Sequence, residues 1–405
     1  MFPASHAHLN EHAGRSHDVK LSMQPATPGA GSPREHFVDW LRVFATGMVL
    51  LFHCARFFDA EGWHVKNPDR STALGVFVRF AVQWMMPLFF ILSAISIRHA
   101  LARRSNGQYL LERLRRLGVP FVFGTLVLIP PQVYIERVTR GGFDGSFLAF
   151  LPHYFEGWYG FGGNFAWMGL HLWYLEMLLI LSFLTLPLFR WLGRPAVSER
   201  IKKGATALAR PGFIYGLALP IATMEMLVNL QPDGMGRRDF GGWSVLTYWV
   251  FFLLGYVIGS DGQFRATAER QRHGALIVGV TAAAAGYLLL GSGYSDRAWP
   301  MALLRAINAW SWLLVLLGFA SKHLGFDRAW LRRANEAVLP FYVLHQTVIV
   351  VIAFLLMGWR GTVLLKYTVL VGASLTVILA IYTCLIRRWG LMRFLFGMSP
   401  ARPPP

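Results

Sequence analysis

The sequence predicts an all-α, polytopic membrane protein with about ten transmembrane helices and both termini in the cytoplasm. The first observation is composition: 55% of the 405 residues are hydrophobic and 15% are charged, whereas soluble domains carry about 25% charged residues. The second is the recurrence of apolar runs of about 20 residues, the length of a helix that spans a bilayer. The third is an alternation of basic and nearly neutral segments between those runs.

Ten apolar segments make up the predicted spans. Prolines interrupt some of them, such as Pro87 in the second and Pro120 in the third, and membrane helices tolerate such breaks. In chain order the predicted spans are 38–57, 73–97, 114–135, 168–190, 212–230, 243–260, 274–291, 299–320, 337–357 and 362–386.

The distribution of Lys and Arg orients these spans. The two tails and every second loop hold 26 basic residues, whereas the alternate loops hold 8. Basic loops stay in the cytoplasm, so both termini are predicted there, in a multi-pass protein of the cell inner membrane. The net charge of +18 then follows from topology, which favours a membrane protein over a nucleic-acid-binding one.

Three regions are predicted along the chain. Residues 1–36 form a disordered cytoplasmic tail, because their scattered histidines lie among polar residues with little apolar surface to bury. Residues 37–390 form one membrane domain. Residues 391–405 form a basic, Pro-rich cytoplasmic tail. No spacing typical of a metal site appears, so no metal is expected.

The first span carries ionisable residues on one stripe. Arg42 and His53 are eleven residues apart, which places them on one helix face with an axial separation of roughly 16 Å, and Asp39 lies on nearly the same stripe. Ionisable groups at membrane depth usually face a bundle interior or a wet cavity. A neutral His53 suits the role of general base, although a lone histidine in a helix is more often a packing residue.

Two arginines at the start of the third span form a second candidate group. Arg113 and Arg116 are three residues apart and are predicted to share a helix face, whereas Arg115 points elsewhere. Two guanidinium groups on one face suit a phosphate ligand. The alternative is a cluster that binds lipid headgroups and sets topology.

Further polar residues within the spans predict a buried polar cavity. Glu225 is expected to pair with Arg79 or Arg305. The long loop 136–167 is rich in aromatic residues, which suit either an interfacial belt or a lid over an outward-facing pocket. The pocket-lining candidates are Asp39, Arg79, Gln83, His171, Trp173, Glu225 and His345.

Several motifs together resemble the integral-membrane acyltransferase family 3. The resemblance runs over residues 36–390, and WHVKNP (63–68) and IPPQVYIERV (129–138) are most similar to its branch with a periplasmic glucan succinyltransferase. One departure is Ala94, where many members have Gly. The motifs are Arg42…His53, FFILS (89–93), the arginine pair ahead of Pro120, HLWYL (171–175) and LPFYVLHQTVIV (339–350).

The resemblance implies an enzyme that moves an acyl group, of acetyl or succinyl type, from cytoplasmic acyl-CoA to a glycan hydroxyl at the outer face. It implies His53 as the catalytic residue and Arg42, Arg113 and Arg116 as the groups that handle the acyl donor. Direct transfer and an acyl-histidine intermediate stay open. The expected partners are therefore membrane lipids, the acyl donor and a glycan acceptor such as a glucan, with no nucleic acid.

Two other classes of function remain as alternatives at this stage. A secondary transporter or glycan exporter would use the buried charges to relay ions, and it would favour broken helices in two symmetric halves. A non-enzymatic scaffold would leave the stripe formed by Arg42 and His53 unexplained.

Overall fold

The computed structural model describes residues 35–400, so the predicted tail 1–36 lies almost wholly outside the described residues, as do 401–405. Within the described range the chain is helical, with two isolated β-bridges and no strand. The helices are α1 His36–Arg56, α2 Thr72–Arg103, α3 Asn106–Thr139, α4 Phe147–His153, α5 Leu170–Leu184, α6 Leu186–Leu192, α7 Pro195–Leu208, α8 Phe213–Asn229, α9 Val245–Ile258, α10 Gly262–Gly291, α11 Trp299–His323, α12 Ala329–Met357, α13 Val363–Ile386 and α14 Gly390–Leu395.

Seven of the described helices, α1, α2, α3, α10, α11, α12 and α13, are long and apolar enough to cross a membrane. The fourth predicted span coincides with α5 and α6, which are bent by 56° relative to each other. The fifth and sixth predicted spans coincide with the shorter apolar helices α8 and α9. Each of the ten predicted spans therefore falls on a helical segment, and seven or eight of these segments have the length of a span.

Helix α2 lies at the centre of the bundle and packs against α1, α9 and α11. Its closest approach is to α9, where glycines let the two backbones meet. A Cβ added to Gly255 would lie 2.7 Å from the Ile91 backbone and 2.9 Å from the Ala94 side chain. Small residues at helix interfaces permit such approach in membranes. Many members of the family that the sequence resembles have Gly at the position of Ala94. The Cβ of Ala94 fits here because residue 255 of α9 is itself a glycine.

Helix α3 contains two wide π-turns, Leu114–Gly118 and Gly124–Leu128. Prolines follow both turns, and a proline has no N–H to donate to the carbonyl one turn earlier. After the second turn, the N–H of Gln132 bonds to the Ile129 carbonyl at 2.8 Å. The Leu128 carbonyl therefore accepts from the Thr347 hydroxyl of α12 at 2.8 Å instead. The break in the backbone ladder ties α3 to α12.

The described part of the predicted C-terminal tail packs on the bundle. Arg393 in α14 is buried, and its guanidinium group lies 2.9 Å from Glu336 and 2.8 Å from the Ser399 carbonyl. Gly397 has a positive φ of 67°, and a Cβ there would collide with the Arg116 carbonyl. This close approach requires glycine and brings the end of the described chain against α3.

The contact between α2 and α9 predicts a strong effect of volume at Gly255. The substitution Gly255→Leu should lower the free energy of unfolding by about 1–3 kcal/mol, because the new side chain overlaps the Ile91 backbone. Thermal unfolding in detergent, followed by tryptophan fluorescence, measures this. The matched control is Gly372→Leu, since nothing lies within 4 Å of a Cβ at Gly372. Equal shifts in the two variants would contradict the contact.

Candidate active site

A cavity of about 1370 Å³ opens in the bundle. Side chains of α1, α2, α3, α5, α9, α10, α11 and α12 line it, together with the loops that follow α1, α4 and α8. Tyr159, Phe161 and Trp167 of the long aromatic loop are among the lining residues. Phe161, although it borders the cavity, is mostly exposed. Phe155 and Trp158 of the same loop are mostly exposed, as residues of an interfacial belt are.

His53 lies near the end of α1 and lines this cavity. Its Nδ1 is buried and has no hydrogen-bond partner among the described residues, whereas Nε2 is not among the buried unpartnered atoms and is the nitrogen open to the cavity. The His53 ring lies 6.4 Å from the Trp63 ring and 4.8 Å from the His345 ring, measured between centroids. The structure thus presents one nitrogen of His53 to the cavity and the other to the protein interior.

Three histidines form a cluster at the cavity wall: His53 and His171, which line the cavity, and His345, which is buried behind it. The rings of His171 and His345 are perpendicular, with centroids 5.0 Å apart. His345 lies between the other two and is fully buried. Its Nδ1 lies 2.5 Å from the Tyr342 carbonyl. A carbonyl oxygen only accepts, so Nδ1 carries the proton of the neutral ring.

A chain of hydrogen bonds runs from Glu136 through His64 and the amides of Gln346 and Gln132 to His171. Glu136 and His64 are 2.5 Å apart, His64 and Gln346 3.0 Å, Gln346 and Gln132 3.0 Å, and Gln132 and His171 3.4 Å. The chain ends where His171 Nε2 lies 3.1 Å from the Val343 carbonyl. We call this set the polar chain.

The direction of every bond in the polar chain follows from its two ends. His171 Nε2 must donate to the carbonyl, so its Nδ1 accepts from the Gln132 amide nitrogen. The Gln132 oxygen then accepts from Gln346, whose other N–H reaches His64 Nε2. His64 Nδ1 therefore donates to the Glu136 carboxylate. Each buried group has a partner, as a low-dielectric interior requires.

Glu136 is held by further donors from the outer loop. The Tyr159 hydroxyl donates to it at 2.8 Å, and the Arg140 guanidinium group lies 2.9 Å away. Burial, followed by the negative charge of Glu136, raises the pKa of Tyr159 well above its ordinary value, so the phenol stays a donor. Glu136 is thereby anchored to α3, to the aromatic loop and to His64 at once.

Side chains from four of the sequence motifs meet around the histidines. The Ser93 hydroxyl lies 2.7 Å from the Tyr174 hydroxyl, which donates to the Phe89 carbonyl at 3.2 Å. The Tyr342 hydroxyl donates to the His171 carbonyl. The motifs FFILS, HLWYL and LPFYVLHQTVIV therefore pack against one another beside His53, which belongs to the fourth.

The predicted donor-handling arginines lie together but outside the lining of this cavity. Arg116 lies close enough to Arg113 and Arg42 for their charges to interact. Arg42 is held against α2 by bonds to the Leu92 carbonyl, at 3.3 Å, and to the Ser96 hydroxyl. Asp39 lies 3.5 Å from Arg42 and, like it, is not part of the cavity lining.

An aromatic layer formed by Tyr174 and Tyr342 lies near both the arginines and the histidines. Tyr174 interacts electrostatically with Arg42 and Arg113 on one side. On the other side its ring lies 5.7 Å from the Tyr342 ring, which lies 5.4 Å from the His345 ring. Arg42 and His53 thus lie on one helix, but only His53 is among the residues that line the cavity.

The other predicted pocket residues divide into two groups. Arg79, Gln83, His171 and Trp173 line the cavity, whereas Glu225 and His345 are buried behind its wall. The expected pair of Glu225 with Arg305 is present at 4.0 Å. Arg238, which the sequence did not single out, lies closer to Glu225, at 3.0 Å.

The sequence missed His64, Glu136 and Gln132 as site residues. His64 lies in WHVKNP, and Gln132 and Glu136 lie in IPPQVYIERV. The resemblance of these two stretches to one branch of the family was the signal that could have identified the three residues. Within residues 35–400, no group of three or more His, Cys, Asp or Glu side chains is arranged to hold a metal ion. The expectation that no metal is needed stays a prediction.

Comparisons with known proteins identify the family to which the chain belongs. The chain is 23% identical over 325 residues to proteins named "Glucans biosynthesis protein C" from Salmonella paratyphi A, Salmonella agona and Salmonella enteritidis PT4, which covers 78% of this chain and 82% of each relative. No solved structure matches the chain. The model of acyltransferase family 3, described as an acyltransferase domain, matches residues 35–383. The chain therefore belongs to acyltransferase family 3 and is an acyltransferase.

Proposed function

We propose that this membrane acyltransferase moves an acyl group from cytoplasmic acyl-CoA to a hydroxyl of a glucan or other envelope glycan at the outer face, with His53 as the catalytic base. The observation that carries the proposal is the accessible Nε2 of His53 in a cavity of about 1370 Å³. Pockets for small ligands are commonly about 300–1,000 Å³. The size therefore suits an oligosaccharide, and the name of the Salmonella relatives supports a glucan.

The proposed topology has ten spans with both termini in the cytoplasm, in the cell inner membrane. Contacts between helix ends support it, because they group on two faces of the bundle. On one face Arg190 bonds to the Arg104 carbonyl at 2.7 Å, beside the basic loops. On the other, Lys366 bonds to Asn67 at 2.8 Å and Arg140 to the Trp63 carbonyl at 3.2 Å, beside the cavity. In this arrangement 37–390 forms the membrane domain.

The donor enters from the basic face in this proposal. Arg42, Arg113 and Arg116 lie where the phosphates of CoA would arrive, and guanidinium groups suit phosphate. The roughly 16 Å between Arg42 and His53 along α1 is comparable to an extended pantetheine arm. In this proposal the arm passes Tyr174 and Tyr342, which lie near both the arginines and the histidines, and the two rings separate to admit it.

The proposed chemistry is a direct transfer. Nε2 of His53 takes the proton of the acceptor hydroxyl while the oxygen attacks the thioester carbonyl. The new C–O bond forms, the C–S bond breaks, and CoA leaves as a thiol with the proton from His53. The same nitrogen could instead carry the acyl group covalently, and rapid quenching with labelled acyl-CoA separates the routes, because only the second leaves label on the protein.

Membership of an acyltransferase family favours this enzyme over the transporter, exporter and scaffold alternatives. Acyl transfer that depends on His53 is the property that none of those alternatives shares.

His53→Ala should lower transfer to a glucan acceptor by about 100-fold or more, because general-base catalysis is worth about 10²–10⁴-fold. Purified protein with radiolabelled acyl-CoA and glucan measures this. His153→Ala is the matched control, since His153 is half-exposed and pairs with Glu156 in the outer loop. A normal rate in a folded His53→Ala protein would refute the base.

Arg113→Ala and Arg116→Ala should each raise the KM for acyl-CoA about tenfold or more and leave the KM for the acceptor unchanged. A hydrogen bond to a charged group is worth about 1.5–3 kcal/mol. Arg115→Ala is the control, because it removes the same charge from the same turn. If Arg115→Ala raises the donor KM as much as the other two, the residues act only through general surface charge.

A further inference from the structure

His345 carries a buried nitrogen that the site as described so far leaves unused. Its Nδ1 donates to the Tyr342 carbonyl, so Nε2 holds the lone pair of the neutral ring. That Nε2 is buried and has no hydrogen-bond partner within residues 35–400. An unpartnered buried polar atom costs free energy, and such an atom beside a reactive group requires an explanation.

His53 also has a buried nitrogen that lacks a partner in the described part of the chain, and this one can donate a hydrogen bond. Its Nδ1 is buried without a described partner, and its ring centroid lies 4.8 Å from that of His345. Two imidazoles joined by an N–H···N bond have centroids roughly 5 Å apart, because a bond of about 2.9 Å adds to the two ring radii. The separation therefore suits such a bond, which neither nitrogen makes in this structure.

The bond requires Nδ1 of His53 to face Nε2 of His345, and rotation of one ring about χ2 is the motion that changes which atoms face each other. The χ2 torsion of histidine is broad and soft, and hydrogen bonds of a catalytic site often tighten only when substrate is present. The His345 ring is fixed by its bond to the Tyr342 carbonyl, and the Tyr342 hydroxyl is itself bonded to the His171 carbonyl. The His53 ring, which lines the cavity, is the one that turns.

The other titratable neighbours of His53 in the described part of the chain, His171, His64 and Arg56, offer no free acceptor for Nδ1. Both nitrogens of His171 are engaged, one with the Val343 carbonyl and one with Gln132. Arg56, one turn further along α1, is a donor and is held by Asp59 and Glu61. Trp63, whose ring faces His53, has an N–H that only donates. The lone pair on Nε2 of His345 is the acceptor that remains for Nδ1 of His53.

We propose that His345 is a positioning residue that accepts the Nδ1–H of His53 and so fixes the tautomer in which Nε2 of His53 takes the acceptor proton. This inference rests on the proposed role of His53 as base. In other enzymes a carboxylate orients the base in this way. A neutral imidazole does so here without placing a charge inside the membrane, where an isolated charge is costly.

The test compares three substitutions of His345 in the full-length protein. Gln places an amide oxygen near the former position of Nε2, whereas Asn is too short to do so and Leu has no acceptor. We expect His345→Gln to keep kcat within about tenfold of the native enzyme. His345→Asn and His345→Leu should lower kcat about 100-fold with the KM for donor and acceptor unchanged, because an unfixed base loses general-base catalysis.

A role in packing alone would give a different pattern. It would make Gln and Asn alike and Leu the mildest change, and either result would overturn the proposal. Solid-state NMR of ¹⁵N-histidine-labelled native protein with bound acceptor does not depend on variant folding. It should show a protonated Nδ1 of His53 bonded to an unprotonated Nε2 of His345, and failure to find this pair also overturns the proposal.

The His53→Ala variant separates this inference from the proposed function. If His53→Ala is inactive while the three His345 variants are equally active, only the positioning role fails. If His53→Ala is fully active, the base itself is wrong and the positioning role fails with it.

Discussion

The site depends on the polar chain from Glu136 to His171. This chain joins the loop after α1, α3, α5 and α12 by hydrogen bonds whose directions are all determined. In a hydrocarbon environment a reversed amide would leave donors facing each other with no water to relieve them. Alternative arrangements of these elements are thereby penalised, and His171 is fixed beside His345. The histidine cluster is ordered because the residues of the polar chain have no alternative set of hydrogen-bond partners among the described residues.

Much of the bundle follows from the sequence because hydrophobic length and charge asymmetry are local properties. Each predicted span falls on a helical segment, and the Arg42…His53 stripe lies on one uninterrupted helix. The 3.6-residue period places both residues without knowledge of any neighbour. His53 could therefore be selected as a candidate site residue from its own helix. Arg238 could not be identified as the closest partner of Glu225, because it comes from the loop after α8.

The remaining features of the site depend on contacts between distant parts of the chain. His64 follows α1 in a loop and meets Gln346 of α12 almost three hundred residues later. No period or spacing encodes such a contact. The sequence did not predict the aromatic layer of Tyr174 and Tyr342 either, since each residue belongs to a motif within an apolar span. The sequence thus indicated a route from the arginines to His53, whereas in the structure the cavity that His53 lines does not include the arginines.

The two π-turns of α3 matter for comparison with relatives. A π-turn holds one residue more than a regular turn, so side chains beyond it are rotated by about 100° relative to an uninterrupted α-helix. Between Arg113 and Gln132 the chain passes through two such turns. Each π-turn is geometrically equivalent to the insertion of one residue into an α-helix. An alignment that allows relatives to differ by a single residue within Leu114–Gly118 or Gly124–Leu128 therefore keeps the functional faces in register, and one that forbids gaps inside helices does not.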